Sequence, residues 1–215
     1  MKRGAIFDMD GLLLDTERLY QESWVEMARI FGQLPDPAFP SAVSGTSGEG
    51  MREVIRRYYP AADPYAFQAG CLARVDAILD QQGPPVKPGA GELLEYLSAQ
   101  GVNIAVASSS GRKRILSNLR ATGLERFFDA VASGQQVERG KPEPDIFLLA
   151  AKKIGLPPED CYVFEDSLNG VRAGMAAGCL TVMVPDLVPP PDGLPVSRVC
   201  ASLHEAKELM EQGLL

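Results

Sequence analysis

The sequence predicts an α/β fold: an open parallel sheet flanked by helices, carrying an inserted all-helical segment. Three observations predict it. Short apolar runs alternate with helical patterns over most of the chain, the signature of βαβ units. The stretch from about residue 17 to 84 breaks that alternation and holds no convincing strand. Polar residues follow directly on several of the apolar runs, where an open parallel sheet places its ligands.

The first predicted strand is Gly4 to Phe7. Helical periodicity then runs over 16–31, with Leu19, Tyr20, Trp24, Met27 and Phe31 on one face. A helix over 64–82 presents Phe67, Cys71, Leu72, Val75, Ile78 and Leu79. Between them, Met51, Val54, Ile55 and Tyr58 mark a third. These faces can pack on one another as a small bundle. The Pro/Gly-rich run Gly83-Pro84-Pro85-Val86-Lys87-Pro88-Gly89 reads as the return hinge. The expected division is therefore a core of 1–16 with 85–215 and a helical segment of 17–84. The remaining strands are Val102 to Ala107, a weak one at Ala130 to Ala132, Tyr162 to Phe164 and Leu180 to Val184. Helices are expected over roughly 89–100, 111–121, 144–154, 167–177 and 202–212.

Composition bounds the chemistry. The 215 residues are 46% hydrophobic and 23% charged, ordinary for a globular protein. Twenty-eight acids against 21 bases give a net charge of −7, which argues against a duplex nucleic acid partner. No apolar run approaches the roughly 18 residues of a membrane span. The amino-terminal MKRGAIFDMDG is interrupted by Asp8 and Asp10 and does not read as a signal peptide. Cys71, Cys161, Cys179 and Cys200 lack CxxC spacing and sit in apolar contexts, as reduced residues of a cytoplasmic protein do. The single histidine, His204, lies near the carboxyl terminus. A His-ligated zinc site, a Ser-His-Asp triad and a Cys-His pair are thereby excluded. Carboxylates, hydroxyls, lysine and a hard metal must do the work.

The strand ends supply them. Asp8, Met9, Asp10 and Gly11 follow the first strand, and Ser108, Ser109 and Ser110 follow the second. Gly140-Lys141-Pro142 lies in the loop after the weak third strand. Glu165, Asp166 and Ser167 follow the fourth. Four carboxylates in one crevice raise one another's pKa unless cations neutralise them. Lys141 supplies one positive charge. With oxygen ligands alone, magnesium (Mg2+) is the natural divalent partner, sharing carboxylates with a substrate phosphate. Asp8 and Asp10 are spaced i, i+2, which aims both side chains the same way at a strand end. One can attack phosphorus while the other transfers a proton. A Ca2+ loop is excluded, because Leu12 and Leu19 stand where its ligands belong. A P-loop and a dinucleotide fingerprint also fail, at Gly134 to Lys141 and at Gly89-Ala90-Gly91.

At these residues the chain resembles the haloacid dehalogenase (HAD) superfamily. Phe7-Asp8-Met9-Asp10-Gly11-Leu12-Leu13-Leu14-Asp15-Thr16-Glu17 is similar to its first motif. Ser108 matches the second, Lys141 in GKPEPDIF the third, and Val163-Phe164-Glu165-Asp166-Ser167 the fourth. The helical insertion resembles the cap of the β-phosphoglucomutase-like branch. The resemblance implies a Rossmann-like three-layer core with an α-helical cap. It implies Asp8 as nucleophile and Mg2+ ligand. Asp10 would be the general acid/base, ligating through its backbone carbonyl. Ser108 would bind the transferring phosphoryl group and Lys141 would neutralise it. Asp166 would be a Mg2+ ligand, with Glu165 ligating directly or through water.

The second aspartate of the first motif points to phosphomonoesters, since family dehalogenases lack it and P-type ATPases carry threonine there. The expected activity is Mg2+-dependent hydrolysis of a small phosphorylated metabolite, a sugar phosphate or nucleoside monophosphate, through an aspartyl-phosphate. Two alternatives compete: a sugar-phosphate mutase, and an inactive binding protein on the same scaffold. Tyr20 stands where β-phosphoglucomutases have a histidine, and Gly48 where they have a phosphate-gripping arginine, with Arg52 nearby. Losing that arginine weakens the grip on a second phosphate. The inactive reading requires a missing motif residue, and none is missing. Further contacts to substrate are expected from Ser109, Gly11, Tyr20, Trp24, Gly48 and Glu49, and Trp24 also suits a cap core. Closure of the cap is expected to exclude water during transfer. The protein is expected to be monomeric.

Overall fold

The structure, a computed structural model, describes residues 1–43, 46, 48–186, 189–191, 193 and 195–215. It divides into two compact units, Met1–Asp15 with Pro85–Leu215, and Thr16–Pro84.

The first unit is built on six parallel strands. They are β1 (Gly4–Phe7), β2 (Asn103–Ser108), β3 (Ala130–Ser133), β4 (Cys161–Glu165), β5 (Leu180–Met183) and β6 (Arg198–Val199), in the order β3-β2-β1-β4-β5-β6. Central β1 has the sequence GAIF and is buried throughout. A strand covered on both faces must be apolar on both. Its register sets Phe7 beside Val106 and Phe164, so the three strands end together. The Phe7 and Phe164 rings stack at 4.7 Å.

Alternation along β1 feeds two cores. Ala5 and Phe7 join Leu93, Leu94 and Leu97 of α5 (Ala90–Ala99), Ile115 and Leu119 of α6 (Arg112–Ala121) and Met210 of α9 (Leu203–Glu211). Ile6 joins Phe147 and Ala150 of α7 (Asp145–Lys153) and Ala173 of α8 (Leu168–Ala176). Helices thus cover both faces, giving the three-layer Rossmann-like sandwich. The strand β6 escaped the sequence pattern because it is two exposed residues long. The four cysteines are buried and unpaired, and burial raises their thiol pKa values.

The second unit is all helical: α1 (Thr16–Ile30), α2 (Phe39–Val43), α3 (Gly48–Tyr58) and α4 (Pro64–Gln82). Helix α4 starts where Asp63 caps the Ala66 N–H at 2.7 Å and Pro64 occupies the first turn. Five residues make α2, too few for a periodic signal. Yet its Phe39 organises the core. That ring lies 5.8 Å from Trp24, 4.8 Å from Tyr59 and 5.9 Å from Phe67. Met27, Met51, Ile55 and Cys71 complete the cluster. Ser44, Gly45 and Ser47 of the loop before α3 lie outside the described residues.

The chain leaves and re-enters the sheet unit through paired backbone. Asp15 N donates to Pro85 O at 2.8 Å, and Lys87 N to Leu13 O at 2.9 Å. The Lys87 ammonium pairs with Asp186 and stands 3.6 Å from Asp15. The helical unit therefore begins at Thr16, one residue before the expected boundary.

Candidate active site

The site is assembled at the carboxyl ends of β1, β2 and β4. Asp8 follows β1 directly, and its N–H donates to Phe164 O at 3.0 Å. The chain then folds tightly, with Leu13 N and Leu14 N both donating to Met9 O at 3.0 Å. Gly11 makes this turn at φ 89°, a region that glycine enters without strain. A Cβ there would lie 2.5 Å from Asp166 Oδ2. Gly11 therefore brings the first loop against the fourth.

Lys141 is the central cation. Its ammonium donates to Asp8 Oδ1 and, at 2.5 Å, to Glu165 Oε1. Its side chain is only 8% exposed, and Nζ sits 5.0 Å above the Phe147 ring. Burial disfavours that ammonium, but Asp8 and Glu165 outweigh it and hold its pKa above the ordinary lysine value. Glu165 is fully occupied in position: Oε2 accepts from the Ser167 N–H at 2.8 Å and its hydroxyl at 2.9 Å. Ser167 Oγ in turn accepts from Gly170 N at 3.1 Å, capping α8. Gly170 leaves the space Glu165 fills, since a Cβ would stand 1.7 Å from Glu165 Oε1.

Asp8, Glu165 and Asp166 offer ligand atoms all within 4.8 Å of one another. Burial pushes the Asp8 carboxyl up to about 7, opposed by Lys141 and aided by Glu165 and Asp10. Burial, then Glu165 and Asp8, raise Asp166 well above the usual carboxylate range. Two raised carboxylates beside a third mark negative charge that one lysine does not balance. An oxygen-only set of this kind fits a hard divalent cation.

Asp10 stands apart from that trio. Its Oδ2 accepts from Ser108 Oγ at 3.1 Å and Ser110 Oγ at 3.0 Å. The Asp10 carboxylate is thus turned toward the β2 serines and is no member of the carboxylate trio. Ser108 is 1% exposed and Ser109 is exposed.

The expected cap contacts all belong to the helical unit. Trp24 is spent on its core, 4% exposed and edge-on to Phe39. Tyr20 packs partly buried at 6.4 Å from Trp24. Gly48 opens α3 at φ 53°, exposed. Glu49 binds its own helix, at 2.7 Å from both Arg52 and Arg56. Arg52 also donates to Gln68 at 2.8 Å and lies over the Tyr65 ring. Glu49 and Arg52 are therefore tied to one another within the helical unit.

Sequence reasoning passed over Ser133 and Gly170 and gave Ser110 no role on Asp10. Only Gly170 had a readable signal, standing three residues after the cap residue Ser167.

A family model for haloacid dehalogenase-like hydrolases matches residues 2–178. A probable pseudouridine-5'-phosphatase of Drosophila melanogaster is 37% identical over 85% of this chain and 81% of its own length. Hexitol phosphatase A of Escherichia coli is 30% identical over 96% and 93%. A HAD family hydrolase from Deinococcus radiodurans R1, solved with bound phosphate and sodium, superposes with a TM-score of 0.82 at 32% identity, covering 100% of this chain and 97% of that one. The family model, the relatives and the placement of its motif residues at three adjacent strand ends make this chain a member of the haloacid dehalogenase-like hydrolases.

Proposed function

We propose that this protein is a phosphatase acting on a small phosphomonoester, a sugar phosphate or a nucleoside monophosphate. The observation that carries the reading is the separation of two carboxylate sets. Asp8, Glu165 and Asp166 face one another around Lys141, while Asp10 is held aside by hydroxyls. A reaction needing one carboxylate as nucleophile and another as proton carrier requires that division.

Asp8 Oδ1 is engaged by Lys141, so attack on phosphorus falls to Oδ2. The new Oδ–P bond forms as the ester P–O bond breaks. Asp10 delivers a proton to the departing oxygen. Asp10 then takes a proton from the water that attacks the aspartyl-phosphate, releasing phosphate and restoring Asp8. Lys141 offsets charge on the phosphoryl oxygens, and the Ser108 hydroxyl donates to one of them. Mg2+ would be held by Asp8, Asp166 and the Asp10 carbonyl, with Glu165 ligating directly or through water. It would supply charge neutralisation and alignment of the phosphoryl group. The relatives named for pseudouridine and hexitol phosphates support the substrate class. Ser109 and Gly11, from the sheet unit, and Tyr20, Trp24, Gly48 and Glu49, from the helical one, are the substrate-side residues of this reading, with Trp24 acting through the cap core.

Among the described residues no helix is long and apolar enough to cross a membrane. The four buried, unpaired thiols support a reducing, cytoplasmic setting, and the protein is taken to act as a monomer.

The test is phosphate release with Mg2+ across a panel of sugar phosphates and nucleotides, beside Asp8→Asn. Release from one or a few members, lost in the variant and on chelation, is expected. Full activity in Asp8→Asn would end the mechanism. Conversion of β-glucose 1-phosphate to the 6-phosphate without release would make the protein a mutase.

A further inference from the structure

We propose that Ser110, backed by Ser133, is a positioning residue that aims the Asp10 carboxyl group for proton transfer. The inference rests on the reading of Asp10 as proton carrier.

Asp10 Oδ2 accepts from two serines, Ser108 at 3.1 Å and Ser110 at 3.0 Å. Each hydroxyl has a single hydrogen to give. If Ser108 gives its hydrogen to a phosphoryl oxygen, it must release Asp10. The Ser110 hydroxyl then remains on Oδ2. While it does, the carboxyl group keeps its orientation toward the β2 loop.

Ser110 is built to stay. Its N–H donates to Ser108 Oγ at 3.1 Å, and its carbonyl accepts from Ser133 Oγ at 2.7 Å. Ser133 is fully buried at the end of β3, where its Oγ also accepts from Gln135 N at 3.3 Å. The neighbouring backbone is equally close: a Cβ on Gly134 would stand 2.7 Å from Ser109 O. The chain Ser133–Ser110–Asp10 thus runs from β3 across the β2 loop to β1, and the proposed mechanism otherwise makes no use of Ser133. A side-chain hydroxyl on one strand, pinning the backbone of the next, fixes a carboxylate on a third.

The test compares two leaving groups. An alkyl sugar phosphate needs its departing oxygen protonated, whereas p-nitrophenyl phosphate releases a stable anion that needs no proton. Ser110→Ala, Ser110→Thr, Ser133→Ala and Asp10→Asn are assayed on both with Mg2+, with thermal midpoints as a folding check. A hydrogen bond to a charged group is worth roughly 1.5–3 kcal/mol. Ser110→Ala should therefore lower kcat/KM, which reports the steps up to departure of the leaving group, about 10- to 100-fold on the alkyl ester, and at least tenfold more than on p-nitrophenyl phosphate. Ser110→Thr should recover most of the loss, and Ser133→Ala should fall between. A merely structural role would depress both substrates alike, and that outcome, or no loss on either, overturns the proposal. The Asp10→Asn control separates the two readings. If it keeps alkyl-ester activity, the assignment of Asp10 fails and the positioning role falls with it. If it loses that activity while Ser110→Ala does not, only the positioning role fails.

Discussion

Replacing Lys141 by methionine should destabilise the protein, and the loss should grow with pH. The side chain is 8% exposed and lies between Asp8, 9% exposed, and Glu165, 1% exposed. Methionine keeps the stem over Phe147 and removes the charge. Breaking a buried ion pair by removing one partner costs roughly 3–5 kcal/mol. For a protein of this size each kcal/mol moves the midpoint by about 2–4 °C, so the fall should be about 6–20 °C at neutral pH. The orphaned carboxylates can escape by taking up protons, at about 1.4 kcal/mol per pH unit above their usual value. Asp8 in the wild type is already raised, to about 7, by burial. An acid raised in the folded state binds more protons folded than unfolded, so its contribution falls as pH rises from the ordinary carboxylate value through the raised one. Removing Lys141 takes away the cation that opposes this rise and pushes Asp8 further up. The gap between variant and wild type should therefore be small near pH 5 and widen toward pH 8. Urea melts of both proteins at four pH values, without divalent cations, measure it. A variant as stable as wild type at pH 8, or a gap that closes as pH rises, would refute the reasoning.

Other expectations are as direct. Gly170→Ala places a Cβ 1.7 Å from Glu165 Oε1, so either helix α8 or Glu165 must move. A loss of about 1–3 kcal/mol is expected, with weaker Mg2+ activation; an unaltered melt together with an unaltered Mg2+ titration counts against the role given to Glu165. Phe39→Ala empties the aromatic centre of the helical unit and should cost about 3–5 kcal/mol in urea unfolding. A cost below 1 kcal/mol would show that this core closes around the gap.

The strands that build the site were legible because they are buried on both faces. VNIAVA between polar neighbours admits few other readings, and the site residues follow such runs directly. Lys141 carries no such mark. It follows an exposed loop, and only the fold shows that its ammonium reaches both Asp8 and Glu165. Helix α2 and strand β6 were illegible because they are shorter than any period. Ser133 was invisible for a different reason: a buried serine at a strand end looks like any small core residue until its partner carbonyl is seen. Trp24 and Glu49 have partners that the sequence does not show: one completes an aromatic core and the other pairs with two arginines.

The backbone crossing at the end of β1 has an architectural consequence. Asp15 N and Pro85 O are 2.8 Å apart, and Leu14 bridges Val86. The sheet unit is therefore closed on itself before the helical segment begins and after it ends. For the sheet, Thr16–Pro84 is one long loop with its ends already joined. Doubling the length of a flexible loop costs only about 0.6 kcal/mol. The helical segment can thus be lengthened, exchanged or cut to a short turn while the strand ends that carry Asp8, Asp10 and Asp166 keep their places. Under the proposed function, substrate choice in the helical segment and bond-breaking chemistry at the strand ends are in this sense separately inheritable parts of one chain.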